Sequence, residues 1–209
     1  MGKSYFYVSR GDGMEIIQNV FNRAKNGDRI IISFPDMLSF FTVMKWLTEK
    51  FGDPLWVLWT DAAVERINYL GRKFDFPVGG KAITVGAKKD CYFLDVVARY
   101  DVYDDINKLA KFLPVESTLI VSFGVNFLKI FGKSLSKAIE FIIEHENGIL
   151  CTCTVGDTPE ILLPFHDTFI EIKSGDKSYL TYRSYIAKLK FSVNGGTVEM
   201  SDDFLVGGE

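Results

Sequence analysis

Residues 27–50 have the shape of a phosphate-binding loop without its chemistry. Residues 28–34 are predicted to form a buried strand, Pro35 and Asp36 break it, and residues 37–51 have helical spacing. A helix that follows a strand after a tight turn offers backbone amides to a phosphate. A phosphate loop also needs flexible glycines and a lysine before Ser or Thr, and residues 33–40 contain neither glycine nor lysine. Because Pro35 lacks an N–H and Asp36 is negative, the turn predicts an architecture rather than phosphoryl transfer.

Polar residues at or after the ends of predicted strands form a candidate ligand mouth. Ligands of open parallel sheets bind beyond the carboxyl ends of the strands. The candidates are Asp36, Ser39, Asp61, Ser122, Asn126 and Asp157. Hydroxyls and carboxylates suit a metal ion, an amine or a cationic peptide better than bare phosphate. The alternative, which aspartate propensities favour, is that the three aspartates are helix caps and turn formers.

Basic and aromatic residues alternate in the late strands, where Lys188 and Lys190 are candidate nucleic-acid contacts. Aromatic rings and lysines on a sheet can hold a single strand by stacking and charge. Lysines also protect edge strands from aggregation, and such an edge can equally be a subunit contact. The formal net charge of −3 excludes a general basic field of the kind that binds nucleic acid nonspecifically.

The cysteines and histidines predict no catalytic residue, no metal site and no cofactor. Cys151 and Cys153 are two apart in a predicted strand and should face one packed layer as structural residues. His145 lies at a predicted helix end and His166 in a loop, with no nucleophile pattern beside either.

Strands that alternate with helices to about residue 165, followed by alternating strands, predict a parallel α/β sheet extended at one edge by antiparallel strands. Predicted strands cover residues 28–34, 55–59, 82–85, 92–97, 118–123, 149–155, 168–172, 179–186, 188–193 and 197–200. Predicted helices cover residues 14–24, 37–51, 62–74, 103–112, 129–147 with a break at Gly132, and 159–164. Thr60 and Asp61 are expected to cap the third helix, in which Gly71 is unfavourable.

We expect a single domain over residues 1–209, because no linker or repeat is visible. It would comprise an N-terminal helix region (1–27), a parallel core (28–172), antiparallel hairpins (173–200) and a frayed acidic tail (201–209). No apolar run approaches the roughly 20 residues of a membrane span, and no signal peptide is visible. A cytoplasmic protein without membrane contact is therefore expected.

The order of elements resembles the RecA-like core of KaiC-type and RadA-type ATPases over nearly the whole chain. The resemblance rests on the segment at residues 29–50, the strands at 55–59, 118–123 and 149–154, and the meander at 179–200. More narrowly, the chain resembles an archaeal family of such proteins found in Thermococcales, for which no activity is established. This resemblance implies a three-layer fold with a mostly parallel central sheet and antiparallel C-terminal strands.

Three departures from the family pattern imply a degenerate ATPase. The glycine loop and its lysine are absent, and the family's Mg²⁺-orienting aspartate falls in residues 120–124, which contain no carboxylate. The catalytic glutamate falls near Asp61, which is at most a shortened counterpart. The resemblance therefore implies a non-hydrolysing binding or assembly module with a protein partner or a second copy of itself. The alternatives are a nucleotide-dependent enzyme with an unconventional phosphate loop and, less favoured, a nucleic-acid-binding accessory protein.

Overall fold

The computed structural model describes residues 13–74, 79–101, 119–177, 182–191, 196–198 and 203–206. Seven parallel strands form the centre of the sheet: β1 (Arg29–Phe34), β2 (Leu55–Trp59), β3 (Lys81–Val85), β4 (Asp95–Tyr100), β5 (Leu119–Phe123), β6 (Ile149–Val155) and β7 (Thr168–Lys177). They lie in the order β7-β1-β6-β5-β2-β3-β4. The predicted α/β class with a parallel sheet is confirmed.

The central strands are apolar on both faces because helices cover both faces. All five residues of β2 are buried, as are all five of β5. The unbroken apolar runs that predicted these strands are the pattern expected of parallel strands buried on both sides. A strand with one wet face would alternate instead, as the half-exposed β4 does.

Helices α1 (Gly13–Arg23), α2 (Met37–Phe51) and α3 (Thr60–Phe74) contribute to one core cluster, which contains Phe21, Val43 and Ile67. Helices α4 (Val125–Ile130) and α5 (Ser136–Ile143), with a 3₁₀ helix (Glu160–Phe165), contribute to a second. Alternate residues of β1 separate between the two clusters: Ile30 and Ile32 lie in the first and Ile31 in the second. This alternation shows that the sheet is sandwiched between two helical layers.

Three further strands lie beyond β7. Strand β8 (Tyr182–Phe191) pairs antiparallel with β7, and both β9 (Gly196–Val198) and β10 (Asp203–Val206) pair antiparallel with β8.

Four local predictions are wrong. The strand expected at residues 92–97 is β4, three residues later, and the strand expected at residues 168–172 continues as β7 to Lys177. The helix expected at residues 129–147 begins earlier, at Val125, and ends earlier, at Ile143, whereas the predicted break at Gly132 is confirmed by its φ of 64° after α4. Residues 203–206 of the expected frayed tail form β10, because pairing with β8 satisfies backbone groups that sequence-local rules leave open. The predicted helix at residues 103–112 lies outside the described residues.

Candidate functional site at the carboxyl edge of the sheet

The carboxyl ends of four neighbouring strands meet at one edge, in the order β1, β6, β5, β2. Each is followed by a predicted site residue: Asp36 follows β1, Asp157 follows β6, Asn126 follows β5 and Asp61 follows β2. The strand order therefore brings these four positions to one edge. Their hydrogen bonds show which of their polar atoms already have partners within the protein.

Asp36 occupies the amino terminus of α2 with its own carboxylate. Its Oδ1 accepts hydrogen bonds from the backbone N–H groups of Leu38 and Ser39, both at 2.9 Å, and from the Ser39 hydroxyl at 3.1 Å. Asp36 is the N-cap of α2, with extended backbone angles. These amides are the donors that a bound phosphate would need, so the protein supplies its own anion.

Aromatic rings fill the space between the ends of β1 and β5. Phe34 is the last residue of β1, and its ring meets the Phe40 ring edge-on at 5.4 Å between centroids. Phe40 stacks on Phe123, the last residue of β5, at 4.7 Å, and Phe123 contacts Phe127 at 6.0 Å. Phe34, Phe40 and Phe123 are fully buried. A phosphate chain would have to displace this aromatic contact as well as the Asp36 cap.

Ser122 is committed to a strand neighbour. Its hydroxyl accepts a hydrogen bond of 2.9 Å from the indole N–H of Trp59, and both side chains are fully buried. The Asn126 amide N–H donates to the carbonyl of Val155 at 3.0 Å. Asp157 is exposed. The Thr154 hydroxyl is buried in β6, where it contacts the Thr158 hydroxyl and donates to the carbonyl of Ile32.

Two buried polar atoms at this edge have no hydrogen-bond partner among the described residues: Asn126 Oδ1 and Thr60 Oγ1. Thr60 has a φ of 75°, a left-handed conformation that is rare and strained for a β-branched residue. Gly124 comes close to the end of β2, since a Cβ there would lie 3.1 Å from the Trp59 carbonyl oxygen. An acceptor amide and a hydroxyl can bind a hydrogen-bond donor such as water or an amine.

Asp61 binds a different part of the chain from the one that the sequence predicted. Instead of capping α3, its Oδ1 accepts hydrogen bonds from the backbone N–H groups of Lys88 at 2.7 Å and Lys89 at 2.8 Å. These residues lie in the connection between the parallel strands β3 and β4. The cap prediction is wrong because a carboxylate in a first helical turn can reach outward to another segment. These bonds commit the Asp61 Oδ1 to the β3–β4 connection.

Asn68, two helical turns after Asp61, also hydrogen-bonds to the connection between β3 and β4. Its amide N–H donates to the Asp90 carbonyl at 2.8 Å, and its Oδ1 accepts from the Tyr92 N–H at 2.9 Å. The Phe93 ring then packs over Gly71, where an added Cβ would lie 2.5 Å from ring atoms. Sequence reasoning missed this packing, although a glycine in the middle of a helix was the available signal.

Buried titratable groups elsewhere serve the core. The His166 ring contacts the Leu162 carbonyl at 2.8 Å and the Thr152 hydroxyl at 2.9 Å, and burial lowers the pKa of His166 to about 4. Burial likewise lowers the pKa of His145 and raises that of the Cys153 thiol. Cys151 and Cys153 are buried in one cluster with their sulfurs 3.6 Å apart, which confirms the prediction that they face one layer.

The two predicted nucleic-acid contacts lie on one strand. Lys188 and Lys190 lie in β8, where the backbone register sets them opposite Glu171 and Phe169 of β7.

Within the described parts of the chain, no group of three or more His, Cys, Asp or Glu side chains could hold a metal ion. None of the helices in those parts has the length and apolarity to cross a membrane.

Comparison with known proteins places the chain in an archaeal family. It is 77% identical over 193 residues to an uncharacterised protein of Archaeoglobus fulgidus, and the match covers 92% of this chain and 99% of that protein. The chain belongs to the same family as this Archaeoglobus protein. No family model matches. The archaeal part of the predicted resemblance is confirmed.

A solved structure of a protein from Pyrococcus horikoshii OT3 has a similar fold. The TM-score is 0.61 at 13% sequence identity, and the match covers 87% of this chain and 97% of that one. At this identity the likeness concerns the fold alone.

Proposed function

We propose that this protein is a binding or assembly module on a RecA-like scaffold and that it does not hydrolyse ATP. The observation that carries the proposal is the Asp36 carboxylate, whose Oδ1 accepts from the first free amides of α2. A nucleotide phosphate needs those amides and a nearby cation, whereas here it would meet a negative charge. The order of helices and parallel strands, with helical layers on both faces, supports the RecA-like part.

The chemistry of the carboxyl edge supports binding of a donor group rather than phosphoryl transfer. The acceptor Asn126 Oδ1 and the hydroxyl of Thr60 are buried and lack partners among the described residues. Phosphoryl transfer is catalysed almost entirely by cations and positioned donors around the transferring oxygens. The edge instead offers carbonyl-type acceptors, and these suit an amine or a cationic peptide group.

Exposed apolar side chains support the assembly part. Ile130 is 69% exposed and Phe131 is 58% exposed, at the end of α4. Adjacent large apolar residues in water are the usual composition of a contact between proteins. A second copy of the chain is the partner that we propose, because oligomers of a single chain are the commonest assemblies.

The nucleotide part is tested by thermal unfolding of the full chain with Mg²⁺-ATP. A ligand at one hundred times its dissociation constant stabilises a protein by about 2.7 kcal/mol, which would raise Tm by several degrees. We expect no shift, and no phosphate release above the buffer. Phosphate release above the buffer, together with a shift of several degrees that is absent with Mg²⁺ alone, would overturn the proposal in favour of a nucleotide-dependent enzyme.

The assembly part is tested by light scattering across a concentration series. We expect a mass above that of one chain, and a lower mass for the variant Ile130→Ser/Phe131→Ser. A matched control is Ile161→Ser, which removes another exposed isoleucine, 57% exposed in the 3₁₀ helix. A single-chain mass at every concentration would contradict self-assembly.

A further inference from the structure

A cavity lies at the amino ends of the parallel strands, between the ends of α1 and α2 and the start of β6. Its volume is about 400 Å³, and its lining includes Phe21, Asn22, Lys50, Phe51 and Gly148. This volume is within the range of small-molecule sites. Because it adjoins the amino end of β6, it is separate from the carboxyl edge described above.

One wall of the cavity is aromatic and held rigidly. The rings of Phe21 and Phe51 meet edge to face at 6.0 Å between centroids, and Phe21 contacts Trp46 in the same way at 6.3 Å. Phe21 is only 2% exposed, so it supports the half-buried Phe51 ring and offers almost no surface of its own. Edge-to-face packing fixes the ring orientations, so the wall presents a preformed apolar surface to an occupant.

Lys50 supplies a positioned positive charge at the same cavity. Its ammonium lies 5.2 Å from the ring centroids of both Trp46 and Phe51 and donates to the amide oxygen of Asn22. No carboxylate of the described residues lies within ion-pair distance of Lys50. An ammonium has three N–H donors, so donors remain for an anion. The two rings and Asn22 hold a long side chain that would otherwise have to be ordered on binding.

The third wall is backbone held by side-chain and main-chain hydrogen bonds. The N–H of Gly148 donates to the Asn26 side chain, and the Gly27 N–H donates to the Gly148 carbonyl at 2.7 Å. The His145 ring contacts the same carbonyl at 3.2 Å from inside the protein. These bonds join the turn after α1 to the turn before β6, so the cavity is bounded by fixed segments.

We propose that this cavity binds a small amphipathic monoanion, with its apolar body against Phe51 and its anionic group at Lys50. A single cation favours one negative charge over a polyphosphate. The aromatic wall favours a planar or aliphatic body over a fully hydrated ion.

The test uses 8-anilino-1-naphthalenesulfonate, an aromatic monoanion whose fluorescence rises in apolar sites, titrated into the folded full chain. We expect saturable binding of one equivalent. Lys50→Met keeps the apolar stem and removes the charge, and it should weaken binding about tenfold, which corresponds to about 1.4 kcal/mol, near the lower end of the value of a hydrogen bond to a charged group. Lys45→Met, on an exposed lysine of the same helix outside the cavity lining, should bind as the wild type does.

Two further measurements separate the cavity from adventitious binding. Ala24→Phe places a ring in the cavity, which Ala24 lines, and should abolish binding while a far-ultraviolet spectrum confirms the fold. N-phenyl-1-naphthylamine has the same rings without the sulfonate and should bind the wild type more weakly, with no effect of Lys50→Met. Equal affinity of Lys50→Met and wild type for the sulfonate would overturn the proposal. Loss of binding in Ile130→Ser/Phe131→Ser would also overturn it, because the probe would then be on the exposed apolar surface.

Discussion

The Phe40 and Phe123 rings stack with centroids 4.7 Å apart and planes 26° apart, joining the first turns of α2 to the end of β5. Both residues are fully buried. The contact links two elements that are adjacent in space only because β6 brings β5 next to the β1 side of the sheet. It is the packing that fills the carboxyl edge.

Phe123→Ala should lower the free energy of unfolding by about 3–5 kcal/mol, because it leaves a cavity among Phe34, Phe40 and Phe127. Urea unfolding measures the change. Tyr92→Ala is the matched control, since that residue is 74% exposed and loss of its ring should cost about 0.5 kcal/mol or less. Equal effects of the two variants would mean that the aromatic cluster does not stabilise this edge.

Asp36→Ala should destabilise the protein by about 1 kcal/mol, because the N–H groups of Leu38 and Ser39 lose their acceptor. Asp36→Asn keeps an oxygen acceptor and should cost less. Chemical unfolding of the three proteins under one set of conditions checks this order. Equal losses for the two variants would show that the charge, which both remove, matters at this position rather than the cap hydrogen bonds.

Asn68→Ala should cost about 2–3 kcal/mol, since the Asp90 carbonyl and the Tyr92 N–H would lose their buried partner. Amide hydrogen exchange should accelerate in residues 86–94 more than in β2. Glu65→Gln is the control, because it removes only exposed ion pairs with Lys89 and Arg72 and should change stability by less than about 1 kcal/mol. Uniform acceleration across the protein would contradict a local role for Asn68.

Gly71→Ala should destabilise the protein by about 1–3 kcal/mol, although alanine is the better helix former. The added methyl would lie 2.5 Å from the Phe93 ring, so one of the two must shift. If the Phe93 ring causes this loss, Gly71→Ala should cost less in the Phe93→Leu background than in the wild type. Thermal unfolding of all four proteins checks the coupling. Additive effects would show that the contact is not the cause.

His166 should make the protein less stable in acid. Its pKa is about 4 in the folded state and 6.5 in the reference state, so the unfolded chain binds the proton first as the pH falls. Stability from this group is therefore complete above pH 6.5, decreases between pH 6.5 and about 4, and is constant below that. The total is about 3 kcal/mol. Unfolding of wild type and His166→Gln across this range should show a smaller decrease for the variant, and parallel curves would contradict the assignment.

The main secondary structure could be predicted because its signals are local. The helix at residues 37–51 and the strand at residues 55–59 were predicted with the bounds that the structure has. Apolar spacing, Pro35 and Asp36 fix α2, and the uninterrupted run from Leu55 to Trp59 requires a strand buried on both faces. The displaced β4 and the continuation of β7 through residues 174–176 depend on pairing with neighbouring strands, which no local pattern encodes.

The candidate site could be predicted only in outline. Strand ends identified the positions of Asp36, Asn126, Asp61 and Asp157, because parallel strands put their carboxyl ends on one edge. The partners of those side chains could not be predicted. Asp61 and Lys88 are 27 residues apart, and they meet only because the β3–β4 connection lies along α3.

The sequence by itself determined the α/β class, the buried strands and the absence of a phosphate loop between Ser33 and Phe40. These depend on residue type and spacing along the chain. Only the tertiary structure decided that Asp36 binds the amides of its own helix while Asp61 binds a distant segment. It also decided that Gly71 accommodates a ring and that Lys50 lies over two aromatic side chains. The physical reason is that packing density and hydrogen-bond satisfaction are properties of residues brought together by folding, and one-dimensional periodicity does not specify those neighbours.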